Sequence, residues 1–172
     1  MRSIITRCFV PGAAMILVAC SADPIAPTVV TRIAPGAVNS WGPEDPSFNL
    51  QVVLRGDGFG LVTFRQPNDA DKIIRLDTWV RDLTPETDYL LQRAVDTTLD
   101  GDCTSAAWLT LGDGLSPLPI TTDETGTGRA ALWRSVASIA TGSHFDIHFQ
   151  VVEAATGTVV LTSSCYEYVV SQ

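Results

Sequence analysis

His144, Asp146 and His148 occupy alternate positions in GSHFDIHFQVV, Gly142 to Val152, and include both histidines of the chain. Imidazoles and carboxylates bind transition metals and carry out acid–base hydrolysis. On an extended strand the three share one face, while Phe145, Ile147, Phe149 and Val151 share the other. At strand rise the two histidine α-carbons lie roughly 13 Å apart. A shared ion needs each ring nitrogen within about 2.1 Å. One ion would therefore take Asp146, a single histidine and donors from a neighbouring strand. Alternation of a half-buried strand explains the pattern unaided, with the polar stripe facing solvent. No metal and no cofactor is expected there. The alternative is a small envelope metal-binding protein or hydrolase working through the His144/Asp146/His148 face.

Other groups offer less chemistry. DTTLDGDC brings Asp96, Asp100 and Asp102 together, but not at the spacing of a calcium loop, and no glutamate closes it. The RGD tripeptide, Arg55 to Asp57, falls where a hairpin turn is expected. There is no G-x-S-x-G elbow, H-E-x-x-H pair or glycine-rich phosphate loop. No catalysis is expected. The aromatic residues are a better lead. Trp79 alternates with Asp77 and Arg81, opposite Leu76 and Val80, and Trp133 shares a face with Arg129, opposite Leu132. Exposed, Trp79, Arg81, Arg129 and Trp133 could form a stacking platform for a carbohydrate or a protein ligand. Buried, they would only stiffen a sheet.

The N-terminus supplies an address. Arg2 and Arg7 precede the apolar stretch CFVPGAAMILVA, which ends in LVAC at Cys20. The stretch is shorter than the roughly 20 apolar residues of a spanning helix. LVAC resembles the bacterial lipobox, whose cysteine is diacylated and becomes the new N-terminus. That resemblance implies a lipoprotein signal peptide over 1–19, lipid on Cys20, and a domain anchored in the cell envelope outside the cytoplasm. Ser21, rather than aspartate, follows the cysteine, which leans towards the outer membrane if the organism has one.

Composition narrows the partners. Acidic residues outnumber basic ones, 19 to 11, for a net charge of −8, and loss of Arg2 and Arg7 with the leader makes the balance more negative. This argues against nucleic acid and against polybasic membrane attraction, leaving lipid as the means of attachment. With Cys8 removed and Cys20 acylated, Cys103 and Cys165 remain, and in an exported chain they most simply form one disulfide. Such a bond would pin the DGDC loop beside the last strand, away from the histidine stripe.

These groups need strands to position them. Residues 20–47 form the lipidated N-terminus and a tether rich in proline (Pro24, Pro27, Pro35, Pro43, Pro46), with one short strand expected at PTVVTRI. From Phe48 onward, short apolar or alternating runs are cut by Gly, Asp and Thr turns. FNLQVVLR, GDG and FGLVTFRQ read as a hairpin, and DKIIRLDTWVRDL alternates. YLLQRAV, AAWLTL, LPITT, GRAALWR, FDIHFQVV, TVVLTS and YEYVV follow, with RSVASIA as a loop or a single helical turn. Roughly nine or ten strands in about 125 residues imply one all-β domain over 48–172, an antiparallel β-sandwich, immunoglobulin-like or related, with a small β-barrel as the alternative. The expected core holds Val62, Phe64, Ile74, Leu76, Val80, Leu132, Phe145, Ile147, Phe149 and Val151. LTPETDY, Leu83 to Tyr89, resembles the L-x-P-x-T-x-Y turn of fibronectin type III and related domains. The resemblance implies a tyrosine hydroxyl bonded back to the chain at a corner between sheets. About half of the chain follows Tyr89, so that module's usual strand order is not implied. Together these features describe a lipid-anchored exported domain with a binding or structural role in the envelope.

Overall fold

The structure, a computed structural model, describes residues 48–67 and 70–171. The leader, Cys20, the tether and its expected PTVVTRI strand lie outside the described residues. The described chain is all-β. Its strands are β1 (Phe48–Gly56), β2 (Phe59–Gln66), β3 (Ile73–Arg81) and β4 (Asp88–Asp96), then four of two residues each. These are β5 (Leu109–Thr110), β6 (Gly112–Asp113), β7 (Ser116–Pro117) and β8 (Ile120–Thr121). Four longer strands follow: β9 (Gly128–Ser135), β10 (His144–Glu153), β11 (Val159–Ser163) and β12 (Tyr166–Val169). AAWLTL, expected as one strand, is strand only at Leu109 and Thr110. RSVASIA ends β9 and continues as a loop with a turn closed by the Ile139 N–H on the Val136 carbonyl.

All twelve strands belong to one sheet, ten of them in the order β5-β4-β10-β11-β1-β2-β3-β9-β6-β7, with β8 paired to β4 and β12 to β10. The two ends of the long-strand run are drawn together by β8. It pairs with β4 at Tyr89↔Ile120 and Asp88↔Thr121, and the next residue, Thr122, bridges to Gly128 at the start of β9. The result is a nearly closed barrel, the second of the two architectures expected. β10 gives one edge to β4 and shares the other between β12 and β11.

Alternation sets which side chains enter the barrel. β2 buries Gly60, Val62, Phe64 and Gln66, and β3 buries Ile74, Leu76, Thr78 and Val80. Across the interior Phe64 meets Phe149 edge-to-face at 6.2 Å and Tyr168 at 4.9 Å between centroids. Every expected core residue is buried except Phe145, which is only half-buried at the margin. One polar group inside is fully satisfied. The Gln66 amide donates to the Ser171 carbonyl at 2.8 Å and accepts from the Tyr168 hydroxyl at 2.6 Å and the Ser171 N–H at 3.0 Å. A buried amide left unpaired is costly, so this cluster fixes the end of β12 against the end of β2.

Two turns tighten the barrel. The β1–β2 hairpin brings Gly56 so close to β11 that a Cβ there would sit 2.1 Å from the Val160 carbonyl oxygen, leaving room only for glycine. In LTPETDY, buried Tyr89 accepts the Thr84 N–H on its hydroxyl at 3.1 Å. The bond back to the chain thus exists at the corner leading into β4.

Candidate functional site

The histidine stripe is not the solvated face that the alternation implied. Asp146 is 3 % exposed, and its Oδ2 accepts the backbone N–H groups of Asp100 (3.1 Å) and Gly101 (2.8 Å). His148 is half-buried, its Nε2–H donating to the Ser105 carbonyl at 3.0 Å while Trp108 stacks on its ring at 4.6 Å. Only His144 is exposed, paired with Glu167 at 2.9 Å. The cause is the segment from Thr97 to Trp108, which leaves β4 and folds back over the outer face of β10. A carboxylate is the natural acceptor for a loop's unpaired N–H donors. Asp96 does the same for the Ser105 N–H, and Asp100 for that of Asp102. The acids read against a calcium loop are thus turn formers, and the stripe is a clamp.

The disulfide belongs to that clamp. Cys103 and Cys165 are bonded, with α-carbons 5.4 Å apart. As expected, the bond ties the DGDC loop to the chain just before the last strand. The expectation that this lies away from the histidines is corrected, because the tied loop is the one lying across Asp146 and His148. Among the described residues no group of three or more His, Cys, Asp or Glu could hold a metal ion.

The outer face of β1, β2, β3 and β9 is different. Register sets its side chains in rows across the strands. Asn49, Arg65, Arg75 and Trp133 form one row, and Gln51, Thr63, Asp77 and Ala131 the next. Val53, Leu61, Trp79 and Arg129 form the third, and Arg55, Phe59 and Arg81 the last. Five arginines therefore share these rows with one carboxylate, Asp77, while at the margins Asp82 pairs with Arg81 at 3.5 Å and Asp113 lies beside Trp133. Arg129 grips Asp77 with two bonds, Nε–Oδ1 at 2.9 Å and Nη2–Oδ2 at 2.5 Å. That bond, above all, holds the Asp77 carboxyl below its usual range. Arg65 and Arg75 stand directly opposite each other, and among the described residues neither makes a salt bridge, although Arg65 is near enough to Asp77 to help lower its pKa.

The two tryptophans differ. Trp79 is half-buried, with Phe59 edge-on at 5.9 Å and the Arg81 guanidinium 5.8 Å from its ring centre. Trp133 is 39 % exposed. Its indole N–H donates to Asp113, and its six-membered ring packs on Gly114, where a Cβ would come within 2.9 Å. The β6–β7 hairpin thus sets the ring's plane. Small Ala131 leaves an open recess of about 550 Å³ between Trp133, Arg65, Arg75 and the Asp77–Arg129 pair. That volume lies in the range of small-molecule sites.

No family model, curated protein or solved structure matches the chain.

The pairing register of β2, β3 and β9 places Trp79, Arg81, Arg129 and Trp133 on one face, with Trp79 half-buried and Trp133 the more open of the two tryptophans. Sequence reasoning missed Arg65, Arg75 and Asp113. β2 alternation places Arg65 with Thr63, but only the pairing register sets it beside Arg75 and Trp133. The parallel Asp113↔Trp133 contact joins segments that no local pattern connects.

Proposed function

We propose that this chain is a lipid-anchored, exported binding domain of the cell envelope, and that it holds its ligand on the outer face of β2, β3 and β9. One observation carries the reading. An acidic chain gathers five arginines and two tryptophans on a single face, and Arg65, Arg75, Arg129 and Trp133 among them line an open recess. Arginine and tryptophan dominate binding hot spots because they combine large stacking area with directed donors. Like charges set directly opposite across strands cost stability, so the Arg65–Arg75 pair weighs against a purely structural role. The hydrolase or metal reading is less well supported, since Asp146 and His148 are committed to the 97–108 loop.

The address and the face are tested together. Cys20→Ala is expected to abolish acylation, seen as loss of the diacylglyceryl mass from the mature protein, and to release the domain from the membrane fraction. Trp133→Ala, in the soluble domain, is expected to weaken binding by about tenfold or more to whichever member of a panel of envelope glycans and peptides quenches the wild-type indole fluorescence. Its melting temperature should change little, because Trp133 lies outside the core. A ligand unaffected by Trp133→Ala, or an unacylated wild-type product, counts against the reading.

A further inference from the structure

We infer that the ligand is an acidic glycan, a chain of sugar rings bearing carboxylate or sulfate groups. One ring would stack on Trp133 while its acid group sits between Arg65 and Arg75. The inference rests on the binding reading above and adds the chemistry of what is bound.

Four features support it. The first is charge. Screening limits a ligand's view to about 8 Å at physiological salt, so it meets the local excess of arginine, five against Asp77, Asp82 and Asp113, and not the net charge of −8. The second is the Arg65–Arg75 row. Guanidinium forks match carboxylate and sulfate oxygens in two-point bonds, and an anion between them removes the repulsion of directly opposed cations. The third is the plate. Trp133 is next to Arg75 in the same row, its plane set by Asp113 and Gly114, which suits the apolar face of a sugar ring. Asp77, held ionised by Arg129 at the recess, offers an acceptor for sugar hydroxyls. The fourth is extent. Arg75 and Arg81 lie six residues apart on β3, about 20 Å along the strand, so cationic groups recur over the length of an oligomer rather than a single unit.

A single-stranded nucleic acid would meet the same arginines. It binds through successive stacked bases, and among the described residues of this face only Trp133 offers an open ring, since Phe59 and Arg81 cover Trp79.

The test is fluorescence titration of the soluble domain. Its probes are oligogalacturonate, the methyl ester of that oligomer, sulfated and unsulfated dextran oligosaccharides, and a single-stranded oligonucleotide of matched length. The acidic forms are expected to bind about tenfold or more tightly than their neutral counterparts, an advantage that salt erodes. R65Q/R75Q should reduce acidic ligands to the neutral level while its melting temperature stays the same or rises. Preference for oligogalacturonate or for sulfated dextran shows which acid group the pair selects, and either result supports the inference. Equal binding of acidic and neutral forms, unchanged binding by R65Q/R75Q, or tighter binding of the oligonucleotide overturns it and leaves the binding face standing. If no glycan or peptide perturbs Trp133, the binding reading fails with it.

Discussion

Replacing Cys103 and Cys165 together by serine is expected to lower the unfolding free energy by about 4 kcal/mol, from the chain entropy that the cross-link removes. The bond spans 62 residues of sequence, a long loop to leave open in the unfolded chain. The same bond holds the 97–108 segment over β10, where Asp146 takes two of its N–H groups and His148 one of its carbonyls. Loss of the disulfide should therefore also show locally, as faster amide exchange at Asp100 and Gly101 than at the centre of β10. Asp146→Ala should reproduce that local signature at a cost of about 1–3 kcal/mol, because it strands two donors while leaving the cross-link intact. Denaturant unfolding of oxidised wild type and both variants provides the check. A change under 1 kcal/mol in the double serine variant would mean that the loop's other bonds close the chain unaided.

Phe149→Ala is expected to cost about 3–5 kcal/mol, the range for deleting a fully enclosed aromatic ring. Phe149 is 1 % exposed at the middle of the barrel, edge-on to Phe64. Phe145, four residues earlier on the same face, gives a control within one strand. It sits at the barrel margin, half-buried, with Tyr168 6.5 Å away, so Phe145→Ala should cost distinctly less. Equal losses at the two positions would contradict the placement of the core.

Alternation made most of the barrel's inside and outside legible. Val62 and Phe64, Leu76 and Val80, Ile147 and Phe149 were all assigned to the core by period two alone. Whether the strands made two sheets or one was not legible, because closure runs through β8. Two residues and one flanking bridge are too short to produce a pattern. The same limit explains Asp146. Its side was read correctly as the outer one, but its burial comes from a loop 45 residues away in sequence, and period two reports only which side a residue takes. Net charge has a related limit. A net charge sums over the whole surface, whereas the outer face depends on the register that sets Arg65 against Arg75. The cysteines were legible because elimination left one pair.

The circular course of the sheet bears on how such domains behave when crowded. Self-association of β-proteins usually begins where a long strand leaves its backbone groups unpaired. Here the terminal strands, β5 and β7, have two residues each, and β7 ends in Pro117, which has no N–H to offer. Most long strands have neighbours along both edges, or, where β4 and β9 face one another, the short strands between them; among the described residues the exceptions are β1, which pairs with β11 only from Leu54 to Gly56, and β12, which pairs with β10 alone. In a dense layer of these domains, contacts at the β5 and β7 ends would therefore fall to side chains, which can be exchanged without unravelling the barrel, and backbone pairing between molecules would have only the short seam between β1 and β12 to start from.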